Sequence, residues 1–204
     1  KNYGNLINNK KRFLVIFRGI NTQYFDNSNI TNDKVQNIYS TLNLSSEKIK
    51  ILLPGRLTRW KGQEMFIESL NLLKKKYNKE NFQAIILGSH QGRTVYYKKL
   101  ISLIEKLGLK RHIFFINHIK EMPVAYYIAD IVVSSSIEPE AFGRVSVEAQ
   151  SMRRPILASN HGGSKETIIN GKSGFLFDNN NPESLAENLN KLIEMDKDKL
   201  QSIG

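Results

Sequence analysis

Two acidic residues, Glu140 and Glu148, stand eight positions apart with Gly143 between them. The apolar run 131–133 before them predicts a strand, and the residues from near Phe142 onward predict a helix that begins beside the acidic loop. A helix N-terminus offers unpaired backbone N–H groups and the positive end of the helix dipole. This stretch therefore predicts an anion-binding site, with phosphate as the first ligand to test.

The two carboxylates allow more than one chemistry. As a pair flanking one bond, they could act as acid and base in glycoside hydrolysis. Glu148, however, falls about a turn and a half into the predicted helix, which favours contacts with different parts of one extended ligand. Ribose hydroxyls would then suit Glu148, and a sugar hydroxyl would suit Glu140. A surface or capping role is the alternative for either residue, and Glu138 is a neighbouring candidate.

A second candidate stretch, GRLTRWKG at residues 55–62, follows another apolar run. It puts Arg56 at a strand end and Lys61 at a helix start, where two fixed cations could clamp a diphosphate. The GxxxxGK[ST] spacing of a P-loop is absent. The alternative for this stretch by itself is a solvated basic loop.

Glycines and histidines supply the remaining candidates. Gly162 and Gly163 precede a predicted helix and could let the backbone approach a phosphate or sugar, but paired glycines more often form a simple turn. His161 beside them is a donor of ambiguous charge. His118 follows a strand, so its backbone is placed to meet a base, although its side chain is expected to be an ordinary loop residue.

These candidates are positioned by a regular alternation of short apolar strands and amphipathic helices. The predicted strands are Ile49–Leu53, Phe82–Leu87, His112–Ile116, Ile131–Val133, Pro155–Ala158 and Gly174–Phe177. Helices are predicted around 66–77, 96–107, 122–129, 162–169 and 182–193, besides the one near Phe142. This alternation predicts an α/β fold, a Rossmann-like parallel sheet covered by helices on both faces. In such sheets ligands bind at the carboxyl ends of the strands.

Residues 1–46 differ in character from the rest. Arg12–Phe17 predicts a strand, and a short amphipathic helix is predicted with Val35, Ile38 and Leu42 on one face. No partner for the first strand is evident, which suggests the edge of a domain that the sequence does not include.

Composition excludes several classes of protein. The chain has 204 residues and no cysteine, which removes disulfides and thiolate metal sites, and its four histidines lack ligand spacing. No apolar run reaches the length of about 18 to 20 residues that spans a membrane. The net charge of +11 indicates an anionic partner such as a nucleotide, a nucleic acid or an anionic bilayer, unless it reflects genome composition.

Three stretches taken together resemble glycosyltransferase family 4, whose members are retaining GT-B enzymes that use nucleotide sugars. They are GRLTRWKG (55–62), EAFGRVSVEAQSMRRP (140–155) and NHGGSKETIINGKSGFLF (160–177). The acidic pair matches the E-x7-E motif of that family, and the resemblance covers about residues 48–195. It implies the C-terminal half of a GT-B architecture.

The resemblance also implies roles for particular residues. The donor would be a nucleoside diphosphate sugar, and neither a metal nor another cofactor would be needed. Arg56 and Lys61 would hold its pyrophosphate and stabilise the charge of the leaving group. The other implied contacts are Glu140 to the donor sugar, the backbone of Phe142, Gly143 and Arg144 to sugar and phosphate, Glu148 to the ribose, and the backbone of His118 and Ile119 to the base.

The resemblance further implies a division of the chain. Residues 1–46 would end an N-terminal domain and its linker, residues 47–204 would bind the donor, and an absent domain would bind a saccharide or lipid-linked acceptor. Synthesis of lipopolysaccharide or surface polysaccharide in the cytoplasm is the expected role, with peripheral contact at the anionic inner face of the membrane as an option. Ala141, Asn117 and Arg153 depart from family glycines, and the last of these predicts that its helix ends differently.

Other functions stay open at this stage. A sugar-nucleotide epimerase or a phosphorylase would share the fold, although no lysine stands in an obvious cofactor-anchoring context. A basic module for nucleic acid or an anionic membrane would need clustered cations with exposed aromatic residues. Apart from the run at 74–76 the cations are scattered, so nucleic acid is the less favoured partner.

Overall fold

The computed structural model describes residues 18–203, and the strand predicted at Arg12–Phe17 lies outside them. Six strands form one parallel sheet: β1 (Ile49–Pro54), β2 (Phe82–Leu87), β3 (Ile113–Ile116), β4 (Ile131–Ser134), β5 (Ile156–Ser159) and β6 (Phe175–Phe177). Each agrees with its predicted strand to within one residue at either end. The predicted α/β class is confirmed.

The helices connect these strands. They are α1 (Asn32–Leu42), α2 (Gln63–Tyr77), α3 (Thr94–Lys106), α4 (Met122–Ile128), α5 (Arg144–Ser151), α6 (Ser164–Thr167), α7 (Pro182–Ile193) and α8 (Lys197–Ile203). None of them, within residues 18–203, is both long and apolar enough to cross a membrane.

The strand order across the sheet is β3-β2-β1-β4-β5-β6, the order of a dinucleotide-binding Rossmann sheet. The chain first winds from β1 towards β3 and then returns to add β4 on the other side of β1. At this reversal the loops after β1 and β4 leave the sheet towards opposite faces and open a crevice at the carboxyl ends of the strands. The topology thus fixes where a ligand site belongs.

Two apolar cores cover the two faces, because alternate residues of each buried strand point in opposite directions. Ile51 and Leu53 of β1 pack against the core beneath α2, α3 and α7. Leu52, between them, packs against the opposite core with α4 and α5. Helices on both faces explain why the strands are continuous apolar runs instead of alternating patterns.

The segment before β1 packs onto the second of these cores. Phe25 is buried there at 5% exposure, and Val35, Ile38 and Leu42 of α1 are half-buried against it. The predicted amphipathic helix is therefore present as α1. The proposed division of the chain at residue 46 stays a prediction.

Two helix boundaries differ from those expected. The helix predicted to start near Phe142 begins at Arg144, because Gly143 adopts a left-handed conformation with φ of 79°. The helix predicted at 162–169 is reduced to the four residues of α6, because Ile168 is already extended. Both differences lie in loops whose backbone is set by contacts between distant segments.

The expectation that α5 ends unusually is wrong. Arg153 has φ of 51°, in the left-handed region that a glycine would normally occupy at this position. Its N–H donates to Gln150 O at 2.9 Å, and the N–H of Arg154 donates to Ala149 O at 2.9 Å. These two bonds are the closure that usually follows a helix with a C-terminal glycine, so an arginine adopts it here at a conformational cost.

Candidate functional site

A cavity of about 510 Å³ opens at the carboxyl ends of β1, β2 and β3, beside the starts of α4 and α5. It lies at the reversal of the strand order. Its lining is mainly apolar with three charged side chains among a few polar groups, and comprises Pro54, Gly55, Arg56, Leu87, Gly88, Ser89, Asn117, His118, Ile119, Met122, Tyr126, Arg144, Val145 and Glu148.

Glu148 is the buried acid of this cavity, with 6% of the residue exposed. Tyr126 donates its hydroxyl to Glu148 Oε2 at 2.7 Å, and Arg144 donates from Nη2 to Oε1 at 2.7 Å. Burial first, and then the negative charge of Glu148, raise the pKa of Tyr126 well above its ordinary value. The Tyr126 hydroxyl is therefore a permanent donor to this carboxylate at physiological pH.

Arg56 supplies a cation across the same cavity. The loop that carries Arg56 is held by Gln63. The side-chain N–H of Gln63 donates to Arg56 O at 2.9 Å, and its side-chain oxygen accepts from the Tyr96 hydroxyl at 3.2 Å. Gly88 allows the loops after β1 and β2 to touch, because a Cβ built there would lie 1.9 Å from Gly55 O. The side chain of Arg56 thus projects from a rigid backbone.

Lys61 and Glu140 form an ion pair in which each side chain is 16% exposed. Ser136 donates its hydroxyl to the same carboxylate oxygen of Glu140. Neither member of the pair lines the cavity that holds Arg56. The diphosphate contact that the family resemblance implies for Lys61 stays a prediction, and the structure shows that Lys61 is paired with one of the two glutamates.

The indole ring of Trp60 lies close to two of the cations of this loop, Arg56 and Lys61. Its ring centroid is 4.4 Å from Lys61 Nζ and 5.9 Å from Arg56 Cζ, distances at which a cation is attracted to an indole face. Arg56 and Lys61 therefore both lie within reach of one aromatic ring, although only Arg56 lines the cavity.

Gly162 and Gly163 bring the acidic loop close to the segment after β5. The N–H of Gly163 donates to Glu140 O at 2.7 Å, and a Cβ at Gly163 would lie 2.5 Å from the carbonyl carbon of Phe142. His161 contacts Ser136 O through Nε2 at 2.7 Å. Gly162 and Gly163 form the turn that was one of their two predicted roles, and they also allow two backbone segments to meet. The approach of their backbone to a phosphate or sugar stays a prediction.

The predicted site residues lie in three neighbouring places. Arg56, His118, Ile119, Arg144 and Glu148 line the cavity. Lys61 and Glu140 form the adjacent ion pair, while Phe142 and Gly143 form the turn that leads into α5 and packs on Gly163. The E-x7-E spacing therefore places its two acids in neighbouring but distinct environments.

Three residues that shape the site were not predicted from the sequence, namely Tyr126, Trp60 and Gln63. Trp60 lies between two cations in the sequence, which is a weak local signal, whereas Gln63 at the start of α2 carried none. Tyr126 carried none, because its partner Glu148 is 22 positions away. Within residues 18–203 no three His, Asp or Glu side chains gather as metal ligands.

Fold and site together define a class of protein. Residues 35–203 match the family model described as Glycosyl transferases group 1, and the chain belongs to that family. Among curated proteins it is 28% identical over 194 residues to a D-inositol 3-phosphate glycosyltransferase of Corynebacterium urealyticum, covering 94% of this chain and 45% of the relative.

Solved structures give the same result. A glycosyltransferase from Rickettsia africae is similar with a TM-score of 0.88 and 34% identity, covering 93% of this chain and 49% of that one. The Anabaena protein Alr3699/HepE, solved with UDP-glucose, has a TM-score of 0.82 and 28% identity, with coverages of 93% and 50%. The chain spans about half the length of these proteins.

Proposed function

We propose that this chain is the donor-binding half of a retaining glycosyltransferase, which transfers a sugar from a nucleoside diphosphate sugar to a saccharide or lipid-linked acceptor. The observation that carries the proposal is the cavity at the strand-order reversal, where Arg56 and buried Glu148 meet across a mainly apolar lining. A nucleotide needs these three features, namely a cation for phosphate, an acceptor for ribose hydroxyls and an apolar slot for the base.

Each part of the donor has a matching part of the site. Glu148 accepts hydrogen bonds from the ribose, and the backbone beside His118 and Ile119 faces the base. Arg56 binds the diphosphate, with the first turn of α5 contributing backbone N–H groups, since Gly143 caps that helix without a side chain. The half-buried Lys61 and Glu140 pair lies next to the cavity, where the sugar of a donor would extend.

Catalysis would rest on electrostatic stabilisation of the diphosphate leaving group. When the sugar leaves, negative charge grows on the diphosphate, and Arg56 and Lys61 stabilise it more than they stabilise the intact donor. Arg56 is prearranged for this role, because its loop is held by Gln63 at the cavity, and the proposal requires no metal or other cofactor. Glu140 orients the donor sugar by accepting hydrogen bonds from its hydroxyl groups.

The names of relatives support the donor class and leave the acceptor open. Alr3699/HepE was solved with UDP-glucose, and a relative in Staphylococcus aureus is named a capsular polysaccharide biosynthesis glycosyltransferase. We favour synthesis of lipopolysaccharide or surface polysaccharide in the cytoplasm, with the net charge of +11 assisting contact with an anionic membrane face.

Isothermal titration calorimetry with UDP, GDP and ADP tests the proposal. At least one nucleotide should bind, and Arg56→Ala and Glu148→Ala should each weaken it about tenfold or more, the loss expected for a hydrogen bond to a charged group. Arg111→Ala and Glu183→Ala, at exposed positions outside the cavity, are matched controls. Binding of none of the three nucleotides would overturn the proposal.

A second measurement tests whether this chain transfers a sugar without the proposed acceptor-binding domain. We expect this chain alone to transfer no sugar, because the acceptor-binding domain is proposed to lie outside it. Turnover of a nucleoside diphosphate sugar onto an added acceptor by the purified chain would contradict that part of the proposal while leaving donor binding intact.

A further inference from the structure

The two carboxylate oxygens of Glu148 accept hydrogen bonds from two side chains, one exposed and one buried. Oε2 accepts from the Tyr126 hydroxyl and Oε1 accepts from Arg144 Nη2, both at 2.7 Å. The Arg144 side chain is 66% exposed, whereas Tyr126 is fully buried. A ligand hydroxyl that approaches Glu148 can therefore displace the arginine but not the tyrosine.

Tyr126 is fixed from several directions. It lies on α4 and belongs to the core between the sheet and α4 and α5. The Phe25 ring packs edge-on against its ring, with centroids 5.9 Å apart. Phe25 is itself tied to α5, because Ser151 donates its hydroxyl to Phe25 O at 2.7 Å. The hydroxyl of Tyr126 is thus aimed at Glu148 by packing on both neighbouring segments.

We infer that Tyr126 is a positioning residue, which fixes the plane of the Glu148 carboxylate so that Oε1 alone is presented to the ligand. The inference rests on the proposed function of Glu148 as the ribose contact. A carboxylate turns readily about its last bond, and a turned carboxylate would meet the ribose with poor geometry. Tyr126 therefore governs the discrimination between a ribose and a deoxyribose.

The pKa of Tyr126, raised by burial, agrees with this role. A phenol that stays protonated at every physiological pH holds the carboxylate without itself becoming a competing anion. Tyr126 is fully buried, so its effect is transmitted through Glu148.

The test compares UDP, GDP and ADP with their 2′-deoxy and 3′-deoxy forms by calorimetry. Wild-type protein should prefer the ribonucleotide to one deoxy form by about tenfold, and Tyr126→Phe should reduce that ratio to about threefold or less. The variant should change affinity for the deoxy form little. Tyr127→Phe, the neighbouring and half-buried tyrosine of α4, is the matched control.

The outcomes separate the inference from the proposed function. If Glu148→Gln leaves the ribose preference intact, the carboxylate of Glu148 is not what reads the ribose and the present inference fails, whereas the proposed function fails only if no nucleotide binds. If Glu148→Gln abolishes the preference and Tyr126→Phe does not, only the present inference fails. Equal weakening of ribo and deoxy forms by Tyr126→Phe would show a purely structural role and would also overturn it.

A second variant avoids the buried core. Arg144→Gln changes an exposed side chain, and since Arg144 is the displaceable partner, the ribose preference should persist even where overall affinity falls. Loss of that preference in Arg144→Gln would show that Arg144, instead of Tyr126, orients the carboxylate. This result stands even if Tyr126→Phe does not fold.

Discussion

The ammonium group of Lys61 lies against the carboxylate of Glu140, although the two residues are 79 positions apart and follow different strands. The contact arises because β1 and β4 are neighbours in the sheet and send their loops to the same edge. A cation proposed to hold a diphosphate is therefore partly neutralised before any donor binds. Its partner is the acid proposed to contact the sugar, so the charges for the two parts of the donor are coupled.

This pairing predicts an increase in nucleotide affinity for Glu140→Gln. Removing the negative charge releases Lys61 for the diphosphate, and we expect the best-bound nucleoside diphosphate to bind about two- to fivefold more tightly. Calorimetry at low salt measures the change. Glu138→Gln, at an exposed neighbour in the same loop, should have little effect. A tenfold loss of affinity in Glu140→Gln would show that the acid itself contacts the nucleotide.

The close approach of two backbones predicts a steric effect for Gly163→Ala. Gly163 has φ of −60°, which alanine adopts freely, but the added Cβ would lie 2.5 Å from the Phe142 carbonyl carbon. We expect a loss of about 1–3 kcal/mol in the free energy of unfolding, together with weaker nucleotide binding. Urea denaturation gives the first and calorimetry the second.

Gly19→Ala is the control for that substitution. No heavy atom lies within 4 Å of a Cβ built at Gly19, so its stability should be nearly unchanged. Equal stability of the two variants would contradict the assignment of Gly163 to this contact.

The left-handed Arg153 predicts a stabilising substitution. Arg153→Gly relieves the strained φ of 51° while keeping the closing hydrogen bonds of α5, and should raise the free energy of unfolding by about 0.5–1 kcal/mol. Asn180→Gly is the comparison, because Asn180 also has positive φ but asparagine tolerates it better. The gain in stability should be larger for Arg153→Gly than for Asn180→Gly. If Arg153→Gly is instead less stable than wild type, contacts of the arginine side chain outweigh the backbone strain.

Buried His112 predicts a pH dependence of stability. Burial first, opposed by a hydrogen bond to Phe82 O, lowers the pKa of His112 below its ordinary 6.5. The unfolded chain therefore takes up this proton at a higher pH than the folded one. The contribution of neutral His112 to the free energy of unfolding is complete above about pH 6.5. It is lost as the pH falls towards the lowered pKa of His112 in the folded protein.

Urea denaturation at about pH 7.5 and about pH 5.5 measures this loss. On going from the higher to the lower pH, the free energy of unfolding should fall less for His112→Gln than for wild type. His118→Gln, at an exposed loop position, should follow wild type. An unchanged difference in His112→Gln would show that other groups cause the acid destabilisation.

The local pattern of apolar residues was sufficient to predict the α/β architecture. Short apolar runs between amphipathic stretches predicted all six strands to within one residue, because strands buried on both faces must be apolar throughout. Since parallel strands end at one edge, the same pattern also predicted that Arg56 and His118 would share that edge. Arg153 shows the limit of residue propensity, because the hydrogen bonds that close α5 outweighed the preference for glycine.

The sequence by itself determined the fold class, the family and the edge of the sheet where the candidate residues stand, since each depends on periodicity or on motifs within a single stretch. Only the tertiary structure decided how those residues pair. It joined Lys61 to Glu140 and Tyr126 to Glu148, and it used Gly163 to bring two loops together. Such contacts depend on the order of strands across the sheet, which brings together residues whose separation along the chain carries no signal.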